Sequence, residues 1–323
     1  MTHAIRVHAV GGPEVLRWEE VDVPPPAPGE VQLEHRAVGL NFIDVYHRTG
    51  LYPQPLPFIP GQEGVGVVTA VGAAVTSLEP GQRVAYAGLP GAYTERRNAP
   101  AAHLVKLPDA ISDTTAAAVM LKGMTAEYLL RRCRSVGPGD TIVFHAAAGG
   151  VGLLACQWAK HLGARVIGVV GSRGKVALAK GAGCDEVVCL ADEQLVARVK
   201  ELTHGRGAQV VYDSVGKDTL LQSLDCLASR GTLVSFGQSS GKPPPIELAQ
   251  LGGLRSLYVT RPSLHAYTAT RAELEESARA LFRVLESGVV KVQPPRTFAL
   301  KDAAQAHRAL EGRETTGSVV LIP

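Results

Sequence analysis

The 323-residue sequence has few aromatic residues, few cysteines and little net charge. Its formal charge of +3 creates no overall field that would attract nucleic acid or an acidic membrane surface. No apolar run approaches the roughly 18 residues that a membrane-spanning helix needs, and the first residues lack the charged-then-apolar pattern of a signal peptide. We therefore expect a soluble, cytoplasmic protein that binds neither nucleic acid nor membranes.

The five cysteines are odd in number, and no two of them have C-x-x-C spacing. This favours reduced thiols and excludes a disulfide framework or a cysteine-rich zinc site. The ten histidines form no pair at ligand spacing on one helix, so we interpret them as surface or core residues. The sequence therefore predicts no bound metal.

The pattern of the chain changes from one half to the other. Up to about residue 110, short alternating segments are separated by Pro and Gly, which predicts a β-rich domain of barrel or sandwich type. From Thr141 onward, strands alternate with helices, and the strands are continuous Val, Ile and Leu runs, as in a parallel sheet covered on both faces. We therefore predict an α/β protein with a doubly wound, Rossmann-type parallel sheet and a β-rich second domain. The tail, which ends in the strand 318–322, is expected to complete the β-rich domain and make it discontinuous.

The segment Phe144–Gly152 lies between a β-branched strand and a helix and matches the pattern A-x-x-G-x-x-G. Small residues are needed there for a tight turn, for close approach of backbone N–H groups to a pyrophosphate, and for packing of helix on strand. The amino terminus of the helix adds the positive end of its dipole. The segment therefore predicts a dinucleotide-binding loop. The predicted phosphate-binding residues are Ala146, Gly149, Gly150, Val151 and Gly152.

The end of the second strand of this domain indicates which dinucleotide is bound. NAD-binding folds usually place an acid there for the ribose hydroxyls, but this chain has Gly171 followed by Ser172, Arg173 and Lys175. A carboxylate would repel a 2′-phosphate, whereas these side chains can hydrogen-bond it. The alternative is that Arg173 and Lys175 only begin a solvated helix. The missing acid and the added cations together favour NADP(H).

With three further motifs, Asn41–Asp44, Gly61–Gly64 and Tyr212–Gly216, the chain resembles a known family. It is similar over nearly its whole length to the zinc-independent quinone oxidoreductases (zeta-crystallin-like) of the medium-chain dehydrogenase/reductase superfamily, above all to the bacterial NADPH:quinone reductases. The resemblance implies a discontinuous GroES-like catalytic domain over residues 1–122 and 261–323. It implies a Rossmann domain over residues 123–260.

The departure from the zinc-dependent alcohol dehydrogenases is informative. Those relatives place Cys where this chain has Asn41 and His where it has Gln62, and amides are poor zinc ligands. Without zinc, the alkoxide charge that forms on a simple aldehyde or ketone lacks a Lewis acid. A quinone or an activated enone delocalises the incoming charge and needs only positioning and one or two hydrogen bonds.

The resemblance also implies roles for individual residues. Asn41 and Tyr46 are expected beside the nicotinamide, where they orient cofactor and acceptor and donate hydrogen bonds to the developing oxyanion. From the residues alone, Asn41 could equally be a turn residue and Tyr46 an ordinary half-buried aromatic. The residues implied to line the dinucleotide are Thr125, Gly149, Val151, Gly152, Ser172, Lys175, Ser214, Phe236, Gly237, Ser239 and Arg313. Leu190 stands where close relatives often carry a Tyr against the 2′-phosphate, so some use of NADH beside NADPH is expected.

The sequence leaves three alternative functions open. The chain could reduce the carbon–carbon double bond of an alkenal or enone with the same fold and cofactor. It could be a zinc alcohol dehydrogenase, which Asn41 and Gln62 disfavour, or it could bind NADPH as a structural or RNA-associated protein without catalysis. The retained Asn41, Tyr46 and phosphate loop favour an enzyme. The segment 256–260 is a candidate edge strand of the Rossmann sheet, through which we expect a homodimer.

Overall fold

A computed structural model describes residues 2–312 and 314–323. The chain divides into two compact units, which are described separately. The first unit comprises the residues up to Met124 together with Thr268–Glu286 and Val292–Pro323, and the second comprises Thr125–Tyr267 and Ser287–Lys291. The domain bounds expected from the resemblance, with residues 123–260 as the Rossmann domain, stay a prediction.

The first unit is built mainly from strands. Its strands are β1 Thr2–Val7, β2 Leu16–Val21, β3 Glu30–Leu40, β4 Glu63–Val71, β5 Arg83–Ala87, β6 Arg96–Pro100, β7 Val105–Lys106, β14 Arg296–Ala299 and β15 Val319–Ile322. Its helices are α1 Phe42–Arg48, most of α2 Asp113–Tyr128, α9 Arg271–Glu286 and α10 Ala303–Glu311.

Seven of these strands form one sheet in the order β14-β15-β3-β4-β5-β7, with β6 paired to β3, while β1 and β2 form a separate antiparallel pair. The C-terminal strand β15 pairs antiparallel with β3, so the tail of the chain returns to the sheet that the first hundred residues began. Alternating strand residues, such as Val31 and Leu33 of β3, are buried in the core of this unit.

The second unit contains a sheet with helices between its strands. The strands are β8 Thr141–His145, β9 Arg165–Val170, β10 Glu186–Cys189, β11 Ala208–Asp213, β12 Leu227–Ser235 and β13 Tyr258–Thr260. The helices are the last turn of α2, α3 Gly150–His161, α4 Val176–Gly181, α5 Leu195–Leu202, α6 Leu220–Asp225, α7 Leu248–Leu251 and α8 Leu264–Tyr267.

All five strand pairings of this sheet are parallel, and the order is β10-β9-β8-β11-β12-β13. Numbered within the unit, this is the 3-2-1-4-5-6 order of a doubly wound dinucleotide-binding sheet, in which ligands bind at the carboxyl ends of the strands. The predicted parallel sheet is confirmed, and the continuous Val and Ile runs are buried as expected.

The helix α2 runs unbroken from Asp113 to Tyr128 and ends in a π-helical turn, Leu129–Cys133. Gly123 is required for packing, because a Cβ there would overlap the side chain of Leu281 in α9. Within the described part of the chain, no helix is both long enough and apolar enough to cross a bilayer.

Candidate active site

The phosphate loop follows β8 directly. Ala146 has a φ of 51°, a conformation that residues other than glycine adopt rarely. The tight turn is closed by a 2.8 Å hydrogen bond from the Gly149 N–H to the Ala146 carbonyl, and α3 begins at Gly150. A Cβ on Gly152 would overlap the Ala146 carbonyl oxygen and lie 2.7 Å from Cα of Ala147. The loop therefore brings its backbone close to the helix amino terminus, whose first N–H groups lack partners within the helix.

A second group of predicted residues lies after β11 and β12. Ser239 donates its N–H to the Ser214 carbonyl at 3.1 Å, and a Cβ on Gly237 would lie 2.7 Å from that same oxygen. The Phe236 ring lies 5.7 Å from the ring of Phe144 in β8. Ser214, Phe236, Gly237 and Ser239 thus come together at the carboxyl edge of the sheet, beside the phosphate loop.

Asp213 organises this region and was not singled out from the sequence. Its buried carboxylate accepts hydrogen bonds from the N–H groups of Val215 and Gly216 at 2.8 and 3.0 Å. It also accepts from the hydroxyls of Thr219, at 2.8 and 2.9 Å, and Ser223, at 2.7 Å. With these donors the carboxylate holds the turn that presents Ser214. The signal in the sequence was an acid at the end of a buried strand.

The predicted 2′-phosphate residues follow β9. Gly171, Ser172 and Arg173 are exposed, and Lys175, which is half-buried, makes no ion pair among residues 2–312 and 314–323. Arg173 is engaged elsewhere: its Nε and Nη2 atoms lie 2.6–2.9 Å from the carboxylate of Asp192, in the loop after β10. Of the remaining predicted cofactor residues, Thr125 is buried in α2, and Arg313 lies outside the described residues.

Asn41 stands between β3 and α1 in the first unit. Its main-chain N–H donates to Oδ2 of Asp44 at 2.9 Å, which fixes the start of α1. Its side-chain Nδ2 lies 2.9 Å from Oε2 of Glu63 and 3.4 Å from the Gly39 carbonyl oxygen. Both partners only accept, so the NH2 group of the amide must face them. The amide oxygen is therefore the accepting group of Asn41, and it faces the main-chain N–H of Asp44 in the capping box of α1.

Glu63 and Lys122 form a buried ion pair behind Asn41. Their side chains are 0% and 7% exposed, with Nζ 3.1 Å from Oε2. The other carboxylate oxygen of Glu63 accepts the main-chain N–H of Leu121 at 2.7 Å. Gly39 admits this carboxylate, because a Cβ there would overlap it. Sequence reasoning missed this pair, although Glu63 belongs to the Gly61–Gly64 motif.

The two positions that carry zinc ligands in the alcohol dehydrogenases are both buried amides here. Asn41 is 6% and Gln62 is 5% exposed. In the described part of the chain, no group of three or more His, Cys, Asp or Glu side chains is arranged to hold a metal ion.

Tyr46 lies on α1, five residues after Asn41. It is 8% exposed, and its ring packs edge-on against Tyr52 at 5.1 Å and tilted against Phe42 at 6.3 Å. An aromatic cluster therefore joins α1 to the loop that follows it.

A chain of buried hydrogen bonds anchors α1 from behind. Arg48, which is paired with Glu311 at 2.8 Å, also contacts Nδ1 of His307 at 3.2 Å. A guanidinium can only donate, so Nδ1 accepts and the ring proton of His307 lies on Nε2. Nε2 then donates to the Tyr93 hydroxyl at 3.1 Å, and Tyr93 donates to Oδ2 of Asp44 at 3.0 Å.

Burial changes the pKa of two residues in this series of hydrogen bonds, His307 and Asp44. Burial, reinforced by the Arg48 charge, lowers the pKa of His307 to about 3, so the ring is neutral. Burial raises the pKa of Asp44 to about 7 despite the hydrogen bonds from Asn41 and Tyr93. Oδ1 of Asp44 has no hydrogen-bond partner among the described residues.

Comparison with known proteins bears on both units. Residues 27–109 match the alcohol dehydrogenase GroES-like domain, and residues 150–282 match the zinc-binding dehydrogenase family. These matches confirm the predicted combination of a GroES-like domain with a Rossmann-type sheet.

Relatives that match over the full length of the chain indicate the family. A quinone oxidoreductase of Pseudomonas aeruginosa is 51% identical over 325 residues, covering 100% of both chains. A 2-haloacrylate reductase of a Burkholderia species is 44% identical over 332 residues, covering 100% of this chain and 99% of the relative. The crystal structure of Escherichia coli quinone oxidoreductase complexed with NADPH superposes with a TM-score of 0.97 at 50% identity, covering 99% of this chain and 100% of the other. The chain therefore belongs to the quinone oxidoreductases of the medium-chain dehydrogenase/reductase superfamily.

Proposed function

We propose that this protein is an NADPH:quinone oxidoreductase that transfers hydride from the nicotinamide to a quinone without a metal. The observation that carries the proposal is the phosphate loop, where Gly152 leaves no room for a side chain and α3 begins at the carboxyl edge of a 3-2-1-4-5-6 sheet. Relatives that are named quinone oxidoreductases support the acceptor class.

The second unit supplies the groups that would hold the dinucleotide. The N–H groups at the start of α3 would bind the pyrophosphate, and Ser214 and the residues after β12 would line the nicotinamide half. Lys175, Ser172 and Arg173 would bind the 2′-phosphate, for which the ammonium of Lys175 is not already paired in the described structure. When bound, NADPH supplies the hydride.

Asn41 and Tyr46 are the residues that we assign to binding the quinone. The sequence led us to expect that the Asn41 amide donates to a developing oxyanion, but its two N–H groups are directed at Glu63 and Gly39. A quinone has no N–H or O–H group, so we assign Tyr46 as its hydrogen-bond donor and the amide oxygen of Asn41 as the acceptor for a hydroxyl of the reduced product. An electron-poor quinone needs little further help, because conjugation spreads the incoming charge and water can protonate the product oxygen.

A second candidate activity is reduction of the double bond of an activated enone or acrylate. The 44% identity to a 2-haloacrylate reductase favours keeping it. Fold, cofactor and the roles of Asn41 and Tyr46 would be unchanged, and only the position that receives the hydride would differ.

The assembly that we propose is a homodimer in the cytoplasm. β13 stands at one end of the six-stranded sheet, and its Tyr258 and Val259 side chains are 62% and 37% exposed. An exposed edge strand with apolar side chains is stabilised when a symmetry mate pairs with it. The five cysteines are free thiols, in keeping with a reducing compartment. The mass in solution, measured by light scattering, tests the dimer.

The first test of function is NADPH oxidation by chelator-treated protein with a quinone or an α,β-unsaturated aldehyde in separate reactions. We expect rapid quinone-dependent turnover without metal. Turnover with the aldehyde alone would select the second candidate, and tight NADPH binding without turnover of either would refute both. Tyr46→Phe and Asn41→Ala are expected to lower kcat/KM, and full activity in both variants would refute the roles assigned to them.

A further inference from the structure

The ion pair between Arg173 and Asp192 lies where the dinucleotides NAD and NADP differ. In a sheet of this order, the end of the second strand receives the ribose that carries the 2′-substituent. Arg173 follows that strand, β9, and its guanidinium makes a bidentate contact with the Asp192 carboxylate at 2.6–2.9 Å.

Asp192 reaches this position from the neighbouring strand. β9 and β10 pair in parallel, so their carboxyl ends meet at the same edge. The turn after β10 is tight, with the Asp192 N–H donating to the Cys189 carbonyl at 2.9 Å. The end of β9 itself has no acid, but the loop after β10 therefore places one, Asp192, beside it.

Asp192 is an ionised carboxylate at neutral pH, as an ordinary aspartate is. The hydrogen bond from Arg173 holds the pKa of Asp192 below its usual range. The side chain of Arg173 is 83% exposed, whereas that of Asp192 is only 32% exposed. The guanidinium is thus the partner that is open to a ligand, while the carboxylate is partly covered.

We propose that Asp192 is a specificity-determining residue, which competes with the 2′-phosphate of NADPH for the guanidinium of Arg173 and thereby moderates the preference for NADPH over NADH. A 2′-phosphate gains the bidentate contact with Arg173 only when Asp192 releases it. A 2′-hydroxyl needs no cation, and the ribose of NADH leaves the ion pair intact. This inference rests on the proposed binding of the dinucleotide by the second unit.

The test is the dissociation constant of each dinucleotide, followed by the fluorescence of the bound nicotinamide, for the full-length protein and its Asp192→Asn variant. Asn keeps the size of the side chain and removes the charge. We expect the ratio of the NADH constant to the NADPH constant to rise about fivefold, in line with the strength of an exposed ion pair. Most of the change is expected in NADPH binding.

Two further variants make the result specific. Asp225→Asn removes the same charge from another exposed Arg–Asp pair of the same unit, with Arg255, and is expected to leave the ratio unchanged. In an Arg173→Ala background, Asp192→Asn is expected to change the ratio by less than about twofold, because the competition has been removed.

The outcomes separate the inference from the function on which it rests. Failure of the unmodified protein to bind either dinucleotide would refute the proposed function. Normal binding with an unchanged or lowered ratio in Asp192→Asn would overturn the inference alone. An undiminished effect in the Arg173→Ala background would also overturn it, because Asp192 would then act directly on the phosphate.

Discussion

The side-chain nitrogen of Asn41 lies 2.9 Å from Oε2 of Glu63, and this contact determines which face of the Asn41 amide is available. A carboxylate cannot donate, so the amide cannot rotate by half a turn without placing two oxygens against each other. Lys122 neutralises the charge of Glu63, and both side chains are almost completely buried. Glu63 and Lys122 are thus positioning residues for Asn41.

Replacing Glu63 separates the structural role of this pair from its role in orienting Asn41. Glu63→Gln leaves Lys122 buried without a counter-charge, which we expect to lower the free energy of unfolding by about 3–5 kcal/mol. In the double variant Glu63→Gln/Lys122→Met both charges are gone, and most of that loss should be regained. Urea denaturation measures both changes.

The activity of the two variants is expected to follow a different order. A Gln side chain offers either its oxygen or its NH2 group to Asn41, so both variants lose the fixed amide orientation and both should lose kcat/KM to a similar extent. Activity that returned together with stability in the double variant would show that Asn41 does not depend on Glu63 for its orientation.

Lys175 is expected to distinguish the two dinucleotides. A charge-assisted hydrogen bond contributes about 1.5–3 kcal/mol, so Lys175→Ala should weaken NADPH binding roughly tenfold to a hundredfold while NADH binding barely changes. Lys180→Ala, which removes an exposed lysine of the same helical segment, serves as the control. Equal losses for both dinucleotides would remove Lys175 from the 2′-phosphate site. Isothermal titration calorimetry gives the constants of both dinucleotides for the unmodified protein and the two variants.

The elements around the phosphate loop are predicted well from the sequence. The bounds of α3, Gly150–His161, and of β9, Arg165–Val170, agree with the sequence pattern, because a strand, a glycine-rich turn and a helix are determined by neighbouring residues. The doubly wound parallel sheet, which the alternation of strands and helices predicted, is confirmed.

The contacts that sequence reasoning missed join residues that are far apart in the chain. Lys122 and Glu63 are separated by 59 positions, and nothing local in either segment indicates that a buried ion pair forms. Asp192 lies 19 positions after Arg173 and on another loop, so a search for an acid at the end of β9 passes over it. The packing of Gly123 in α2 likewise depends on a residue distant in sequence, Leu281, whose side chain a Cβ at Gly123 would overlap.

Gly152 is expected to tolerate no side chain. A Cβ would overlap the Ala146 carbonyl and approach the backbone of Ala147, so Gly152→Ala must displace the phosphate loop from the start of α3. We expect the dissociation constants of NADPH and NADH to rise together by at least about tenfold, since the pyrophosphate is common to both. Gly181→Ala is the matched control, because a Cβ at Gly181 meets nothing within 4 Å. Binding by Gly152→Ala that equals that of the unmodified protein would contradict the assignment of the loop.

Two buried histidines are expected to be neutral, with the ring proton on Nδ1 in one and on Nε2 in the other. His35 faces the Thr94 carbonyl with Nδ1 and the Tyr86 hydroxyl with Nε2, both at 2.7 Å, so its proton lies on Nδ1. His307 accepts from Arg48 with Nδ1, so its proton lies on Nε2. Burial lowers the pKa of both rings to about 3. Nitrogen-15 spectra of the imidazoles should show one Nδ1–H and one Nε2–H form that do not change between about pH 5 and pH 8.

These lowered pKa values have a consequence for stability in acid. An unfolded histidine takes up its proton near pH 6.5, whereas His35 and His307 in the folded protein do so only at about pH 3. Between these values the unfolded chain binds more protons, so each ring contributes stability that is complete above about pH 6.5 and is lost toward pH 3, by up to about 1.4 kcal/mol per pH unit. In His35→Gln, whose amide can both donate and accept, the loss of stability with falling pH should therefore be shallower than in the unmodified protein. A pH dependence of unfolding that is the same in both proteins, or a His35 signal that titrates near pH 6.5, would contradict the neutral ring.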